Sequence, residues 1–181
     1  MIPAQTIVCG CLLCLILGHS VVPRPASAMT QILPDATVEV DRQTVLELTS
    51  AFDQAQEAIR SRNLDELMAI YSERYHHHGF TKGDLRKIWD ELLNDYEFIA
   101  NIHTFSAIRT SGETHNMTVE ITCSGALWAT SKNSKERIPI DSWHQEVHHL
   151  AKEDGAWRIV GTSKGTSARP RLFGSAPHPL F

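Results

Sequence analysis

The sequence predicts an α+β fold: three N-terminal helices packed on a strongly curved, mainly antiparallel β-sheet, shaped as a cone with a pocket. Three observations carry this expectation. All the long helical patterns precede the main run of strands, an order that does not suit βαβ crossovers and a parallel sheet. Within that run, Met117, Val119, Ile121 and Cys123 alternate with Thr118, Glu120, Thr122 and Ser124, as in a strand with one buried face. The chain, at 181 residues, has the length for one well-buried core and not for two domains.

Taken in order, the first segment stands outside the fold. Thr6 to Gly18 is an almost unbroken apolar run, and Ala26-Ser27-Ala28 follows as a small-x-small cleavage pattern. A spanning helix needs roughly 20 apolar residues, so residues 1–28 read as a signal peptide. The expected product is secreted and periplasmic, with no stable membrane anchor after cleavage. Cleavage after Ala28 leaves Cys123 alone, so no internal disulfide can form and the core must carry stability. A formal net charge of −4 with no basic stripe excludes nucleic acid as a partner.

Residues 29–41 mix Pro34, Asp35 and Thr37 with scattered Val and read as an N-terminal linker to a domain at 42–163. Val45, Leu48, Phe52, Ala55 and Ile59 recur at helical spacing, with Asp53, Gln54, Gln56, Glu57 and Arg60 on the other side. Ser61-Arg62-Asn63 breaks this helix, and Asn63 with Glu66 opens a second one through Leu64, Leu67, Met68 and Tyr71. Tyr75-His76-His77-His78 is a short strand closed by Gly79. Thr81 and Asp84 then cap a third helix with Leu85, Ile88, Trp89, Leu92 and Tyr96 on its core face. Strands follow at Phe98–Arg109, from Met117, at Ile138–Lys152, and from Trp157 to about Ser163, the last after the turn Glu153-Asp154-Gly155. Residues 164–181, rich in Pro, Gly, Ser and Arg, read as a flexible or interfacial tail.

With these elements in place, the chain resembles the nuclear transport factor 2-like superfamily, the cystatin-like cone that includes SnoaL-like cyclases and ketosteroid isomerases. The resemblance covers roughly Val45 to Thr162. It rests on Leu67-Met68-Ala69-Ile70-Tyr71-Ser72-Glu73-Arg74-Tyr75, on Gly79-Phe80-Thr81-Lys82-Gly83-Asp84-Leu85, and on Asp154-Gly155-Ala156-Trp157-Arg158-Ile159-Val160-Gly161. It implies a pocket between the helices and the concave sheet face, and a homodimer through the outer sheet face. It also implies an acid/base residue on the strand after the second helix. Ketosteroid isomerases use an aspartate there, where this chain has His78, and a tyrosine in the first helix, near which this chain has Phe52. That isomerase mechanism therefore lacks both its aspartate acid/base residue and its tyrosine donor here.

Histidine is the unusual chemistry of the mature chain. His78 and His76 share a strand face and are the candidate catalytic residues, with Glu146 or Asp141 to orient them; imidazole titrates near working pH. His144, Glu146 and His148 share one face of the strand 138–152, opposite Trp143, Val147 and His149. With His76 and His78 they have metal-ligand spacing. The plainer reading is polar residues on a wet face, and we assign no metal and no cofactor. Tyr71, Trp143, Phe52, Trp89 and His103 are the candidate ligand-binding residues. Arg158 reads as a surface residue and Cys123 as a small buried hydrophobe. The expected function is binding of a small, largely apolar molecule in the cone pocket. Two alternatives stand beside it: a general acid/base enzyme (isomerase, dehydratase or hydrolase) using a pocket histidine, and a dimerisation or protein-interaction module.

Overall fold

The computed structural model describes residues 30–77, 79–111 and 118–161. The signal-peptide expectation, His78, Met117 and the tail 164–181 lie outside the described residues.

The helices begin and end where local chemistry directs. Helix α1 (Arg42–Ser61) opens on Asp41, whose carboxylate accepts from the Thr44 N–H at 2.9 Å, and ends on Arg62 in the left-handed region. Helix α2 is a single short piece, Leu64–Met68, capped by Asn63. The predicted continuation to Tyr71 does not form; Tyr71 instead bridges to Ile159. Helix α3 (Lys82–Asp95) starts with a full capping box between Thr81 and Asp84.

The strands are β1 (Thr30–Val38), β2 (His76–His77), β3 (Phe80–Thr81), β4 (Tyr96–Ser111), β5 (Thr118–Ser131), β6 (Arg137–Glu153) and β7 (Ala156–Ile159). The main sheet has the order β1-β4-β5-β6-β7, antiparallel except that β1 runs parallel to β4. β2 and β3 form a separate small hairpin around Gly79, whose φ of +87° suits glycine. The residues expected to be a linker are thus an edge strand. Alternation fails across Leu33–Asp35 because the β1/β4 register slips between Ile32 and Thr37, which places Pro34 at the irregularity.

Three register slips fall on one line across the sheet. Ile32 pairs with Phe105, Phe105 with Cys123, and Cys123 with Glu146; each ladder is irregular just beyond that point. The slips are tied together: Ser106 Oγ donates to Gln145 Oε1 at 3.2 Å, and the Gln145 N–H donates to Ser124 Oγ at 3.0 Å. Bulges bend and twist a strand, so a row of them folds the sheet toward the helices. The resulting core joins Leu48, Phe52 and Ile59 of α1, Leu85 and Trp89 of α3, and the concave faces of β4 to β7.

The bulge in β6 corrects one expectation. Gln145 has φ +55° and carries an extra residue, so side-chain parity reverses there. Trp143, Glu146, His148 and Leu150 point to the concave side together, and His144 is exposed. Trp143 is seated over Gly125, where any Cβ would overlap its ring and the Ile102 carbonyl. Gln56, read as part of the polar side of α1, is buried.

Candidate functional site

The concave face of the sheet brings most of the candidate residues together. Phe52 descends from α1 onto β4, its ring edge-on to His103 at 5.1 Å and to Phe105 at 5.0 Å. Trp89 reaches across from α3, its indole N–H donating to the Tyr71 hydroxyl at 3.2 Å. Tyr71 packs edge-to-face on Tyr75 at 5.4 Å. Trp143 lies 5.1 Å from the His103 ring. All five predicted ligand-binding residues, Phe52, Tyr71, Trp89, His103 and Trp143, are buried on this inner side.

A polar chain runs through the aromatic rings. Asn101 Nδ2 lies 3.0 Å from His103 Nε2, and this amide orientation assigns the neutral imidazole's proton to Nδ1. His103 Nδ1 is 3.6 Å from Cys123 Sγ, which also accepts from the Trp143 indole at 3.3 Å. Burial pushes the Cys123 thiol up to about 11, against a smaller opposing effect of the Trp143 hydrogen bond. A thiol so held is an acceptor that orients Trp143, not a nucleophile at neutral pH.

The histidines divide between the two sides. His76 is exposed, whereas its neighbour His77 is buried, with Nε2 3.9 Å from Glu146 Oε1. His148 is buried at 6.4 Å from the Phe52 ring. The inward imidazoles are therefore His77, His103 and His148. Of the two catalytic candidates, His76 faces outward and His78 lies outside the described residues. Tyr75 is also buried here, and desolvation holds its phenol well above its ordinary value. Among the described residues, no group of three or more His, Cys, Asp or Glu is placed to hold a metal ion.

Sequence reasoning missed Asn101, His77 and Gln56. Alternation with His103 would have found Asn101, since the two are separated by one residue on the same strand. His77 was placed opposite the favoured face of a strand only two residues long, too short for alternation to decide which side faces in.

A cleft of about 500 Å³ opens elsewhere, between α1 and β7. Its walls include Leu46, Glu47 and Ser50 on one side and Trp157 and Arg158 on the other. Glu47 Oε2 accepts from the Trp157 indole at 2.9 Å and from Lys152 at 2.7 Å, and Arg158 donates to the Ala69 carbonyl. Arg158 is thus engaged at the surface rather than clamping anything inside the cone.

The architecture is similar to solved structures at low identity. A conserved protein from Planctomyces limnophilus superposes with a TM-score of 0.56 at 13% identity, covering 67% of this chain and 94% of that one. A proposed aromatic ring hydroxylase from Novosphingobium aromaticivorans gives 0.51 at 9% identity, covering 68% and 88%. A ketosteroid isomerase-like protein from Erwinia carotovora atroseptica gives 0.48 at 13%, covering 67% and 94%. No family model matches the sequence, and no curated protein matches it. The fold shared with the first two of these structures is α+β, helices packed against a mainly antiparallel sheet. At these identities the likeness fixes the fold alone.

Proposed function

We propose that the protein binds a small, largely apolar molecule against the concave face of the cone. The observation that carries this reading is the composition of that face. His77, Asn101, His103 and His148 are buried there among Phe52, Tyr71, Trp89 and Trp143. A purely structural core would pack aliphatic groups without the desolvation cost of four buried polar side chains. Apolar walls with a few fixed polar groups are what small-molecule sites use. The test is a thermal-shift screen of small aromatic and alicyclic compounds. Binders raise Tm by several degrees, and His103→Phe, which keeps a ring but removes both nitrogens, weakens them while preserving the fold. A screen without any stabilising compound contradicts the reading.

A second reading, general acid/base catalysis, is favoured by one contact: the buried His77 imidazole facing the Glu146 carboxylate at 3.9 Å. It requires a bound compound to be converted, with turnover lost and binding kept in His77→Gln. We also propose export through residues 1–28 into the periplasm, checked by N-terminal sequencing of the secreted protein. Homodimerisation through the convex face is the remaining proposal. Phe98 is 71% exposed there beside Ala100, and Trp128 carries the Arg137 guanidinium 4.6 Å over its ring. Light scattering of Phe98→Glu, expected to give monomer, checks it.

A further inference from the structure

We infer that the outer cleft between α1 and β7 is the docking site of the chain's own C-terminal stretch Arg169-Pro170-Arg171-Leu172-Phe173, which pairs with the open edge of β7 and covers Leu46. The inference does not depend on what the concave face binds.

The cleft is unfinished in two respects. The first is its backbone. β7 is an edge strand of the main sheet. On its outer side the Ile159 N–H donates to the Ile70 carbonyl at 2.7 Å, and the Ile159 carbonyl accepts from the Ser72 N–H at 2.9 Å. Backbone groups alternate along a strand, so Trp157 turns its N–H and carbonyl to that same side. The parallel bridge between Tyr71 and Ile159 does not continue back to Trp157, because Leu64–Met68 is helical and Ala69 caps it. Among the described residues, no backbone group pairs with Trp157 on this edge. The second respect is apolar surface. Leu46 is 53% exposed on α1, and Ala51, Ala69, Ile70 and Ala156 line the cleft with it. An open strand edge beside an exposed apolar side chain is what an extended peptide covers.

Reach, charge and apolar content make the C-terminus the occupant. The described chain stops at Gly161, and residues 162–181 follow it. Leu172 lies more than twice as far along the chain from Gly161 as Trp157 does, so the tail can turn back to the cleft without being fully stretched. Residues 162–181 carry Lys164, Arg169 and Arg171 and no Asp or Glu. At the cleft, the Glu66 carboxylate accepts from the Asn63 amide at 3.0 Å and meets no cation among the described residues. Glu47 already holds Lys152 and the Trp157 indole, which leaves Glu66 as the acidic partner. Arg171 and Phe173 share one face of an extended stretch, so a single face offers a cation to Glu66 and a ring to Leu46. Pro170 has no N–H, and the pairing with Trp157 falls on the residues after it. Tethering keeps the effective concentration of this segment high, so a modest contact suffices.

The test is a double-mutant cycle on the full chain, Leu46→Ala and Phe173→Ala, read by thermal unfolding. On an uncovered helix surface Leu46→Ala is neutral, since alanine is the better helix former. Under the docked tail it lowers Tm by about 2–4 °C. Phe173→Ala lowers Tm by a similar amount, and the double variant falls no further than either single one, as for two residues in contact. Location is read separately, with the photocrosslinker p-benzoylphenylalanine in place of Phe173. Adducts to α1 or to residues 155–158 within one protomer are expected, with a Tm independent of protein concentration. Absent or additive losses overturn the inference and leave the cleft to a separate partner. Adducts elsewhere on the protomer overturn it as well. Adducts between protomers, with a Tm that rises with concentration, overturn it in favour of a second copy as the occupant.

Discussion

The two faces of strands β4 to β6 are built from the same backbone and differ in almost everything else. The concave face carries the fully buried Phe105, Ile121 and Leu127, with Asn101, His103 and His148 among them. The convex face carries Thr and Ser, small Ala residues, the exposed Phe98 and the half-exposed Trp128. Ordinary alternation sorts most of these residues. What it does not sort is the stretch beyond Ser106, Ser124 and Gln145, where an extra residue in β4 and β6 resets which side chain faces in. The bulges therefore do two jobs at once: they curl the sheet around the helices, and they bring Trp143 onto the same face as Glu146 and His148.

Deleting Gln145 is the most severe way to break this comparison. It removes the parity switch, so Trp143 and His148 can no longer both face the helices. The expected loss exceeds about 4 kcal/mol, at the extreme of single-site effects, and shows as a missing cooperative transition in urea. Retention of a native-like transition would contradict the role given to the bulge. Phenylalanine sharpens the contrast at the next level. Phe52→Ala on the inner side costs about 3–5 kcal/mol, whereas Phe98→Ala on the convex face stays within about 0.5 kcal/mol in the isolated protomer. Comparable losses at the two sites, measured by urea unfolding at low protein concentration, would mean that the convex face is packed as well.

How much of this was legible in the sequence follows from periodicity. The stripes of α1 and α3 were readable because each recurs over several turns, and the Asp84–Thr81 cap announces its helix by spacing alone. The strand 30–38 was not readable. Its pattern is interrupted where the β1/β4 register slips, and no residue of it is fully buried. The inner position of Trp143 beside His148 was hidden for a different reason: a bulge is set by tertiary pairing and leaves no mark in hydropathy. Gln56 was hidden by its polarity, since a helical wheel assigns a glutamine to the wet side. The aromatic candidates were found because large rings near helix stripes and strand cores end up inside.

The smallest effect concerns the outer cleft. Hydrogen bonds from Lys152, then Gln43 and Trp157, hold the Glu47 carboxyl below its ordinary value. A carboxyl depressed in the folded state contributes stability fully above its unfolded value, about 4.3, and loses it as pH falls through the folded one. Thermal unfolding should therefore separate wild type from Glu47→Gln at pH 6 and bring them together as the pH falls below about 4. A separation that is constant with pH would show that the carboxylate's charge does not matter there.

The four tryptophans report on the three surfaces that compete for a ligand. Trp89 and Trp143 lie inside the cone, Trp157 borders the outer cleft, and Trp128 is on the convex face. The most direct measurement is fluorine NMR of protein carrying 5-fluorotryptophan, titrated with the most stabilising compound of the thermal-shift screen. Saturable shifts of the Trp89 and Trp143 resonances are expected, with Trp128 and Trp157 unmoved. A response confined to Trp157 or Trp128 would place the binding surface outside the cone and contradict the binding reading.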